Sequence, residues 1–451
     1  MAGIFKAYDV RGLYGSQLDE DIARKIGLAY RHVLDEDDLQ AGEKVVVSHD
    51  MRDSSKPLVK ALIEGLRASG LNVVDIGLAT TPMNYFAVGH LGTAGGLQVT
   101  ASHNPAAYNG IKFSKRDARP VSGDHGIPLI EKMATGEDLT EVDVPGGYEQ
   151  VSIEEAYEKF LLGFLDRPEG AKTLKVVVDA ANGMGTIYKD LLEKAGIELI
   201  PLYFELDGNF PNHEANPLKV ENLVDLQKAV KEHGADLGVS FDGDADRSAF
   251  VDELGNVVGN DLTTALIGAE LLEREPGSHI VYDLRSSRAV AEFISEHGGV
   301  PVRERVGHSF IKATLRQNGG IFGGELAGHY YFRDTYTADN ALLAVFLTFN
   351  LLWKTGKPFS ELVAPLRRYS KSEETNFKVE DKQGKIDLLA DKYSGGEIDY
   401  LDGITVQYDD WWFNVRPSNT EPYLRLVAEA STPEQLDAKM SELIGLIGEP
   451  V

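Results

Sequence analysis

The sequence predicts an α/β protein with three similar mixed α/β domains and a smaller C-terminal α+β domain around a central cleft. Short β-rich runs alternate with amphipathic helical segments, which is typical of sheets covered by helices. Three segments of the chain begin with a similar β-rich run. From about residue 369, strand-like runs with two helices replace the alternation of strands and helices. The domains are expected at residues 1–147, 148–255, 256–366 and 367–451.

The repeated opening is a β-forming run that continues into a polar turn and then a helix. The three runs are Lys44–Val47, Lys175–Val178 and His279–Tyr282. A second strand follows each run and ends in a polar loop: TASHNP at 100–105, DGDADR at 242–247 or GGELAGH at 323–329. Ligands of open α/β sheets bind at the carboxyl ends of strands, so we expect the three loops to converge on one cleft.

Helix boundaries are indicated by capping residues. Ser54 or Ser55 is expected to cap a helix that has Pro57 in its first turn. The segment 220–234 has leucine and valine at helical spacing and is predicted to form a second helix. Thr432 precedes a proline and is expected to cap the last helix.

Composition limits the classes of function. The formal net charge is -26, from 71 acidic and 45 basic residues, which argues against nucleic acid or an anionic membrane as a partner. The chain has no cysteine, so disulfides, thiolate metal sites and cysteine nucleophiles are excluded. Apolar runs of about 18 residues and a signal-peptide pattern are also lacking. We therefore expect a cytoplasmic protein, either a monomer or a small homo-oligomer.

The loop at 242–247 has the character of a metal site. Asp242, Asp244 and Asp246 alternate in sequence, and three carboxylates suit a hard cation such as Mg²⁺. A calcium EF-hand is the competing interpretation, because Glu253 falls at the twelfth position. It is disfavoured because Arg247 stands where that loop requires glycine and because the flanking residues resemble strands. A turn of solvated acids is the remaining alternative.

The loop at 100–105 presents a serine directly after a strand. Ser102 could be a nucleophile or a phosphate carrier, although a plain turn with a capping serine would give the same pattern. The Gly-x-Ser-x-Gly motif of hydrolases is absent, which disfavours acyl transfer. Lys112 follows on a predicted strand. It could serve as an acid or a phosphate partner if nearby cations depress its pKa.

A loop at 416–422 resembles an anion site. One guanidinium and three small polar side chains can surround a phosphate, and they are Arg416, Ser418, Asn419 and Thr420. An ordinary capped turn is an equal alternative.

Further polar residues suit sugar chemistry. Glu325 could accept hydrogen bonds from sugar hydroxyls, and His329 could shuttle protons near neutral pH. His308 is a similar candidate, although a lone histidine is more often structural. Arg11 could reach the site from the N-terminal strand or simply pair with Asp9.

These four loops, in this order and after the start KAYDVRG, resemble the α-D-phosphohexomutase superfamily and most closely its bacterial phosphomannomutase/phosphoglucomutase group. The resemblance covers essentially the whole chain. It implies an intramolecular phosphotransferase that interconverts hexose 1-phosphates and hexose 6-phosphates of glucose, mannose or both. Ser102 would carry the phosphate, and a hexose 1,6-bisphosphate would be the intermediate and activator.

The resemblance also implies roles for individual residues. Catalytic roles fall to Ser102, Lys112, His329, Arg11 and Arg247. Mg²⁺ would be bound by Asp242, Asp244, Asp246 and an oxygen of the phosphate on Ser102. Phosphosugar binding would involve Tyr8, His103, Arg285, His308, Glu325, Arg416, Ser418, Asn419 and Thr420.

Two positions depart from the family pattern and bear on the choice of sugar. Ala327 stands where the sugar loop usually has serine, and Arg285 stands where the bacterial group often has lysine. Phosphoglucosamine mutase is therefore an alternative, although KAYDVRG differs from the usual start of those enzymes. A phosphosugar phosphatase and a non-catalytic phosphosugar-binding protein are alternatives from other classes.

Overall fold

The computed structural model describes residues 3–37, 39–40, 42–123, 126–136, 139–418 and 423–451. They fall into two compact units. The first unit comprises residues 1–260 and 327–360, and the second comprises residues 261–326 and 361–451. Within the described part of the chain, no helix is long and apolar enough to cross a membrane.

The first seven strands form one mixed sheet in the first unit. They are β1 (Asp9–Leu13), β2 (Lys44–His49), β3 (Asn72–Leu78), β4 (Gly95–Val99), β5 (Tyr108–Lys115), β6 (Arg119–Pro120) and β7 (Tyr148–Gln150). Their order is β1-β5-β4-β2-β3-β7, and β6 pairs with β5. The accompanying helices are α1 (Glu20–Asp35), α2 (Ser55–Ala68), α3 (Thr81–His90) and α4 (Ile127–Thr135). Because β7 pairs with β3, this sheet extends three residues beyond the predicted boundary at 147.

A second sheet in the same unit has five strands in the order β12-β11-β10-β8-β9. The strands are β8 (Lys175–Asp179), β9 (Glu198–Leu202), β10 (Leu237–Phe241), β11 (Ser248–Asp252) and β12 (Val257–Val258). The helices of this region are α5 (Glu154–Leu162), α6 (Lys189–Lys194) and α7 (Val224–His233). Strands β8, β9 and β10 are parallel, whereas β10 and β11 form an antiparallel pair joined by the loop 242–247.

The second unit contains three parallel strands in the order β14-β13-β15. Its strands and nearby helices are β13 (His279–Asp283), β14 (Val300–Glu304), β15 (Phe322–Gly324), α8 (Asn260–Arg274), α9 (Arg288–Glu296) and α10 (His308–Asn318). Residues 327–360 belong to the first unit and contain the antiparallel pair β16 (Tyr330–Phe332) and β17 (Ala338–Asp339) and the helix α11 (Ala341–Thr355); α12 (Phe359–Val363) follows at the boundary. The apolar helix α11 is buried from Ala341 to Trp353.

The C-terminal part of the second unit is an antiparallel sheet with two helices. Its elements are β18 (Ser370–Lys371), β19 (Thr375–Lys378), β20 (Glu397–Asp399), β21 (Ile404–Gln407), β22 (Trp411–Pro417), β23 (Tyr423–Ala430), α13 (Lys382–Lys392) and α14 (Pro433–Ile447). The strand order is β18-β23-β22-β21-β20, with β19 paired to β23. The predicted fold class, with three α/β domains and a C-terminal α+β domain, is confirmed.

Two glycines allow α1 and α2 to pack closely beside the first sheet. A Cβ atom at Gly27 would lie 2.4 Å from the Leu62 carbonyl oxygen, and one at Gly65 would lie 2.0 Å from the Arg24 carbonyl oxygen. Such distances exclude any side chain, so the backbones of the two helices touch directly. This packing supports β2 and β4, whose carboxyl ends carry functional loops.

The predicted helix boundaries have different outcomes. Ser54 occupies the N-cap position of α2, as expected, but its side chain makes no capping hydrogen bond, and Ser55 Oγ donates to Asp50 Oδ1 instead. The segment 220–234 forms a 3-10 turn followed by α7. The cap at Thr432 is confirmed, since its side chain accepts a hydrogen bond from the backbone N–H of Gln435.

Candidate active site

Ser102 lies in a tightly held turn that follows β4. Its backbone φ is 51°, in the left-handed region that residues other than glycine seldom adopt. The backbone N–H donates to Thr100 Oγ1 at 2.9 Å. The side-chain hydroxyl donates to Asp242 Oδ2 at 2.9 Å and lies 3.2 Å from His103 Nδ1. The serine loop and the acidic loop therefore meet at the Ser102 hydroxyl.

The three aspartates of the loop 242–247 are buried and close together. Oxygen atoms of Asp242, Asp244 and Asp246 all lie within 4.8 Å of one another, an arrangement that could hold a metal ion. Asp244 Oδ1 and Asp246 Oδ1 are buried and have no hydrogen-bond partner. Buried carboxylate oxygens without donors are costly unless a cation satisfies them, so the donor set fits a hard divalent ion.

The electrostatics of this loop reflect the crowding of like charges. Burial, together with the carboxylates of Asp246 and Asp244, raises the pKa of Asp242 well above its usual value. Burial acts in the same direction on Asp246, but Lys112, His329 and Arg247 together outweigh it, and the pKa of Asp246 is lowered. Strands β10 and β11 flank the loop, where a calcium EF-hand would need helices. Glu253 is engaged elsewhere and accepts the backbone N–H of Ser360.

Lys112 reaches the acidic loop from β5. Its ammonium donates to Asp244 Oδ2 at 2.7 Å and also to Asp246 Oδ2. Burial lowers the pKa of Lys112, but the two carboxylates outweigh this effect and raise it well above its usual value. The suggestion that nearby cations depress this pKa is therefore wrong, because the closest charges are acids.

Arg11 approaches the serine loop from β1. It pairs with Asp9, as one alternative anticipated, and it also donates from Nη1 to Asn104 Oδ1. In the antiparallel pairing of β1 and β5, Asp9 lies opposite Lys112, so Arg11 and Lys112 project from adjacent strands. Tyr8 is half-buried immediately before β1.

His103 carries a depressed pKa beside the Ser102 hydroxyl. Burial is the main cause, and the positive charges of Arg247 and Arg11 add to it. The imidazole is consequently neutral near pH 7 and can either donate to or accept from the serine.

Arg247 and His329 form a direct pair. Arg247 Nε donates to His329 Nε2 at 3.0 Å, and the two residues also share a backbone bridge. A neutral His329 that accepts at Nε2 carries its proton on Nδ1. That atom lies 3.5 Å from Asp339 Oδ2 and 3.9 Å from Asp246 Oδ1. Two buried carboxylates therefore face the protonated side of this imidazole.

The second unit contains a cluster of guanidinium groups around one carboxylate. Arg416 Nη2 lies 2.7 Å from Glu374 Oε2, and Arg425 Nη1 lies 3.3 Å from Glu374 Oε1. Arg285 Nη1 lies 3.8 Å from Glu374 Oε2 and is anchored by Asp283 at 2.6 Å. Three guanidinium groups thus gather around Glu374, and guanidinium groups suit the oxygens of an anion such as phosphate.

Glu325 is tied to the start of α10 within the same unit. Its Oε1 atom accepts the backbone N–H of Gly307 at 3.2 Å, and Gly307 precedes His308. Glu325 therefore contacts the residue that directly precedes His308. Ser418 follows β22 and donates its N–H to the Tyr423 carbonyl. Asn419 and Thr420 lie outside the described residues.

Sequence reasoning missed three functional candidates. Asp339 faces His329, Glu374 centres the arginine cluster, and Arg52 contacts the serine loop. A signal was present for Arg52, because Asp50-Met-Arg52 and Asp283-Leu-Arg285 occupy equivalent places in the repeated openings.

Profiles of four domain families match the chain in order. They are phosphoglucomutase/phosphomannomutase alpha/beta/alpha domain I at residues 2–141, domain II at 155–255, domain III at 259–369, and the C-terminal domain at 374–445.

Curated relatives match over nearly the full length. The chain is 39% identical over 448 residues to the phosphohexose mutases of Xanthomonas campestris pv. campestris, covering 98% of each sequence. It is 39% identical over 454 residues to the phosphomannomutase of Vibrio cholerae, again covering 98% of each. Among solved structures, a phosphoglucomutase/phosphomannomutase family protein from Burkholderia thailandensis aligns with a TM-score of 0.89 at 35% identity. That alignment covers 98% of this chain and 96% of the other.

Proposed function

The chain belongs to the phosphoglucomutase/phosphomannomutase family and is a phosphohexomutase, and we propose that phosphorylated Ser102 carries the phosphate between the 1- and 6-positions of the hexose. The observation that supports this role is the Ser102 hydroxyl, which lies 2.9 Å from a buried aspartate of the acidic loop. A phosphate on this oxygen would stand beside the acidic loop, Lys112 and Arg247.

Two transfers complete the proposed reaction. The phosphoryl group leaves Ser102 Oγ, which takes up a proton, and bonds to the free hydroxyl of the hexose phosphate, whose proton passes to a base. The product is a hexose 1,6-bisphosphate. The bisphosphate then presents its other phosphate to Ser102, whose hydroxyl loses its proton as it takes that phosphoryl group while the sugar oxygen regains a proton. The enzyme ends phosphorylated, as it began.

Asp242, Asp244 and Asp246 would hold Mg²⁺ in this proposal. Asp244 Oδ1 and Asp246 Oδ1, which are buried without a hydrogen-bond donor, match the preference of Mg²⁺ for carboxylate ligands. The bound ion would neutralise charge that develops on the transferring phosphoryl group.

We assign proton transfer to His329 and stabilisation of negative charge on the phosphate to Lys112. His329 is the proposed base: its Nε2 atom would take the proton in place of the hydrogen bond from Arg247, and Asp339 and Asp246, which face Nδ1, would stabilise the imidazolium. Lys112 has a raised pKa and stays protonated, so it supplies positive charge beside the phosphate. Arg11, Arg247, Tyr8 and His103 would orient the phosphoserine and the reacting hydroxyl.

The second unit is proposed to bind the sugar and its non-reacting phosphate. Arg416 and Arg285 would contact the phosphate, because each presents a guanidinium within the positive cluster. Ser418 would add a hydroxyl, and the same role is proposed for Asn419 and Thr420 from the family resemblance. Glu325 and His308 would contact sugar hydroxyls.

A coupled assay tests this function. Glucose 1-phosphate, mannose 1-phosphate and glucosamine 1-phosphate are supplied with Mg²⁺ and a trace of hexose 1,6-bisphosphate. Formation of the 6-phosphate and release of free phosphate are followed together. Isomerisation of glucose or mannose substrates that is lost in Ser102→Ala is the expected result. Turnover of glucosamine 1-phosphate alone would identify the sibling activity, and free phosphate without isomerisation would indicate a phosphatase.

A further inference from the structure

The guanidinium group of Arg52 binds the serine loop through both of its terminal nitrogen atoms. Nη2 donates to the carbonyl oxygens of Ser102 at 2.9 Å and Asn104 at 2.6 Å. Nη1 donates to the carbonyl oxygens of Pro105 at 2.9 Å and Tyr108 at 3.1 Å. One planar group with fixed donors thereby sets the relative positions of four carbonyls across the loop.

The guanidinium is itself held rigidly. Arg52 is only 2% exposed, and its Nε donates to Asp50 Oδ2 at 3.2 Å. Asp50 Oδ1 accepts both the backbone N–H of Arg52 and the hydroxyl of Ser55. The Phe210 ring covers the guanidinium with its centroid 4.9 Å away. Because these contacts fix the orientation of the guanidinium group before any ligand binds, Arg52 can hold the loop in one conformation.

The loop needs these hydrogen bonds from Arg52 because Ser102 has an unfavourable backbone conformation. Its φ of 51° lies in the left-handed region, where an L-residue is strained. The acidic loop 242–247 approaches the same carbonyl closely: a Cβ atom on Gly243 would lie only 2.3 Å from the Ser102 carbonyl oxygen. The hydrogen bond from Arg52 thus keeps this carbonyl in a narrow space and aims the hydroxyl at Asp242.

The third repeat uses the same pair of residues for a related purpose. Arg285 N and Nη2 donate to the two carboxylate oxygens of Asp283 at 2.7 and 2.6 Å, as Arg52 N and Nε do to Asp50. Asp283 Oδ2 also accepts the backbone N–H of Leu326 at 2.8 Å, within the sugar loop. In both repeats, an Asp-x-Arg pair at the end of the first strand holds the functional loop that follows the second strand of the same repeat.

We propose that Arg52 is a positioning residue that holds Ser102 in the conformation required for phosphoryl transfer. This inference rests on the proposed role of Ser102 as the phosphate carrier. Arg52 contacts carbonyl oxygens of the loop and no reacting atom, so its loss alters where Ser102 Oγ points. The substrate-binding residues of the second unit are untouched, so kcat falls whereas KM does not change.

The test compares Arg52→Lys with Arg67→Lys. Lysine keeps the charge at position 52 but cannot bridge four carbonyls. Arg67 lies on α2 in the same unit and donates to the Gly146 carbonyl, away from the serine loop. Phosphorylation of Ser102 by glucose 1,6-bisphosphate is followed by intact mass in single-turnover experiments. We expect it to slow by about 100-fold in Arg52→Lys, the cost of a reacting group misplaced by about 1 Å, and to be unchanged in Arg67→Lys.

The outcomes separate this inference from the proposed function. If wild-type Ser102 takes no phosphate, the carrier role itself fails. If wild-type Ser102 is phosphorylated and folded Arg52→Lys reacts at the same rate, the positioning role is overturned. If Arg52→Lys does not fold, the same phosphorylation rate is measured in Asp50→Asn. This variant keeps the guanidinium of Arg52 but weakens the hydrogen bonds from Arg52 to residue 50 that hold it in place. A slower phosphorylation with unchanged KM supports the inference, and a wild-type rate refutes it.

Discussion

Ser102 Oγ and Asp242 Oδ2 lie 2.9 Å apart although 140 residues separate them in the chain. The contact joins the end of β4 to the end of β10, the second strands of the first two repeats. The serine loop and the acidic loop thereby form one polar centre.

Removal of one aspartate should greatly reduce the stabilisation of the folded protein by Mg²⁺. At a Mg²⁺ concentration 100 times the Kd, the free energy of unfolding of the wild type should rise by about 2.7 kcal/mol. Asp244→Asn should lose most of this gain, because Asp244 Oδ1 is one of the buried oxygens that lack a donor. Urea unfolding with and without Mg²⁺ measures the effect, and Asp225→Asn on the exposed side of α7 is the control. Equal stabilisation of Asp244→Asn would place the ion elsewhere.

The pair formed by His329 and Asp339 should affect kcat more than KM. His329→Ala removes the proposed base and should lower kcat by about 10²- to 10⁴-fold. Asp339→Asn keeps the shape but removes the charge that faces Nδ1 at 3.5 Å, so a smaller loss of kcat is expected. Steady-state kinetics on glucose 1-phosphate measures both variants, with His233→Asn on the surface as the control. Wild-type kcat in His329→Ala would assign the base to another group.

Glu374 should align the arginines that bind the non-reacting phosphate. Glu374→Gln removes the charge that holds Arg416 and Arg425, and a charge-assisted hydrogen bond contributes about 1.5 kcal/mol, so KM should rise about tenfold. The kcat should change little, since this phosphate does not react. Glu373→Gln, at the exposed neighbouring position, is the matched control. A lower KM in Glu374→Gln would mean that this carboxylate competes with the substrate phosphate.

His213 should make stability depend on pH. Burial lowers the pKa of His213, but its contact with Asp179 at 2.9 Å outweighs this, and the folded-state pKa is raised above the usual value. A raised pKa means that the folded protein binds the proton more tightly. The stabilisation is fully present below the unfolded pKa of about 6.5 and is lost as the pH rises through the folded value.

The measurement is the urea midpoint on either side of this window, in the wild type and in His213→Asn. The wild type should lose stability over the window, and the variant should lose less. His32→Asn on the surface of α1 should behave like the wild type. The same pH dependence in His213→Asn and the wild type would exclude this pair as its source.

Some features of the site could be predicted because they depend on residues close in sequence. The alternating aspartates at 242–246 and the serine after β4 stand out as short motifs, and their order led to the family resemblance that the comparisons confirm. The direction of the Lys112 pKa could not be predicted, because it depends on carboxylates more than 130 residues away. Asp339 was missed since no local pattern marks a carboxylate that faces His329 only through the pairing of β16 with β17.

The sequence by itself determined the α/β class, most strand positions and the loops that carry polar groups, because turn chemistry and side-chain periodicity act over a few residues. Only the tertiary structure decided which charges share a buried space. It placed Lys112 among acidic side chains, surrounded Glu374 with guanidinium groups and brought Arg52 into contact with the Ser102 carbonyl oxygen. These relationships depend on packing between distant segments, and burial there strengthens each charge–charge contact beyond what sequence proximity reveals.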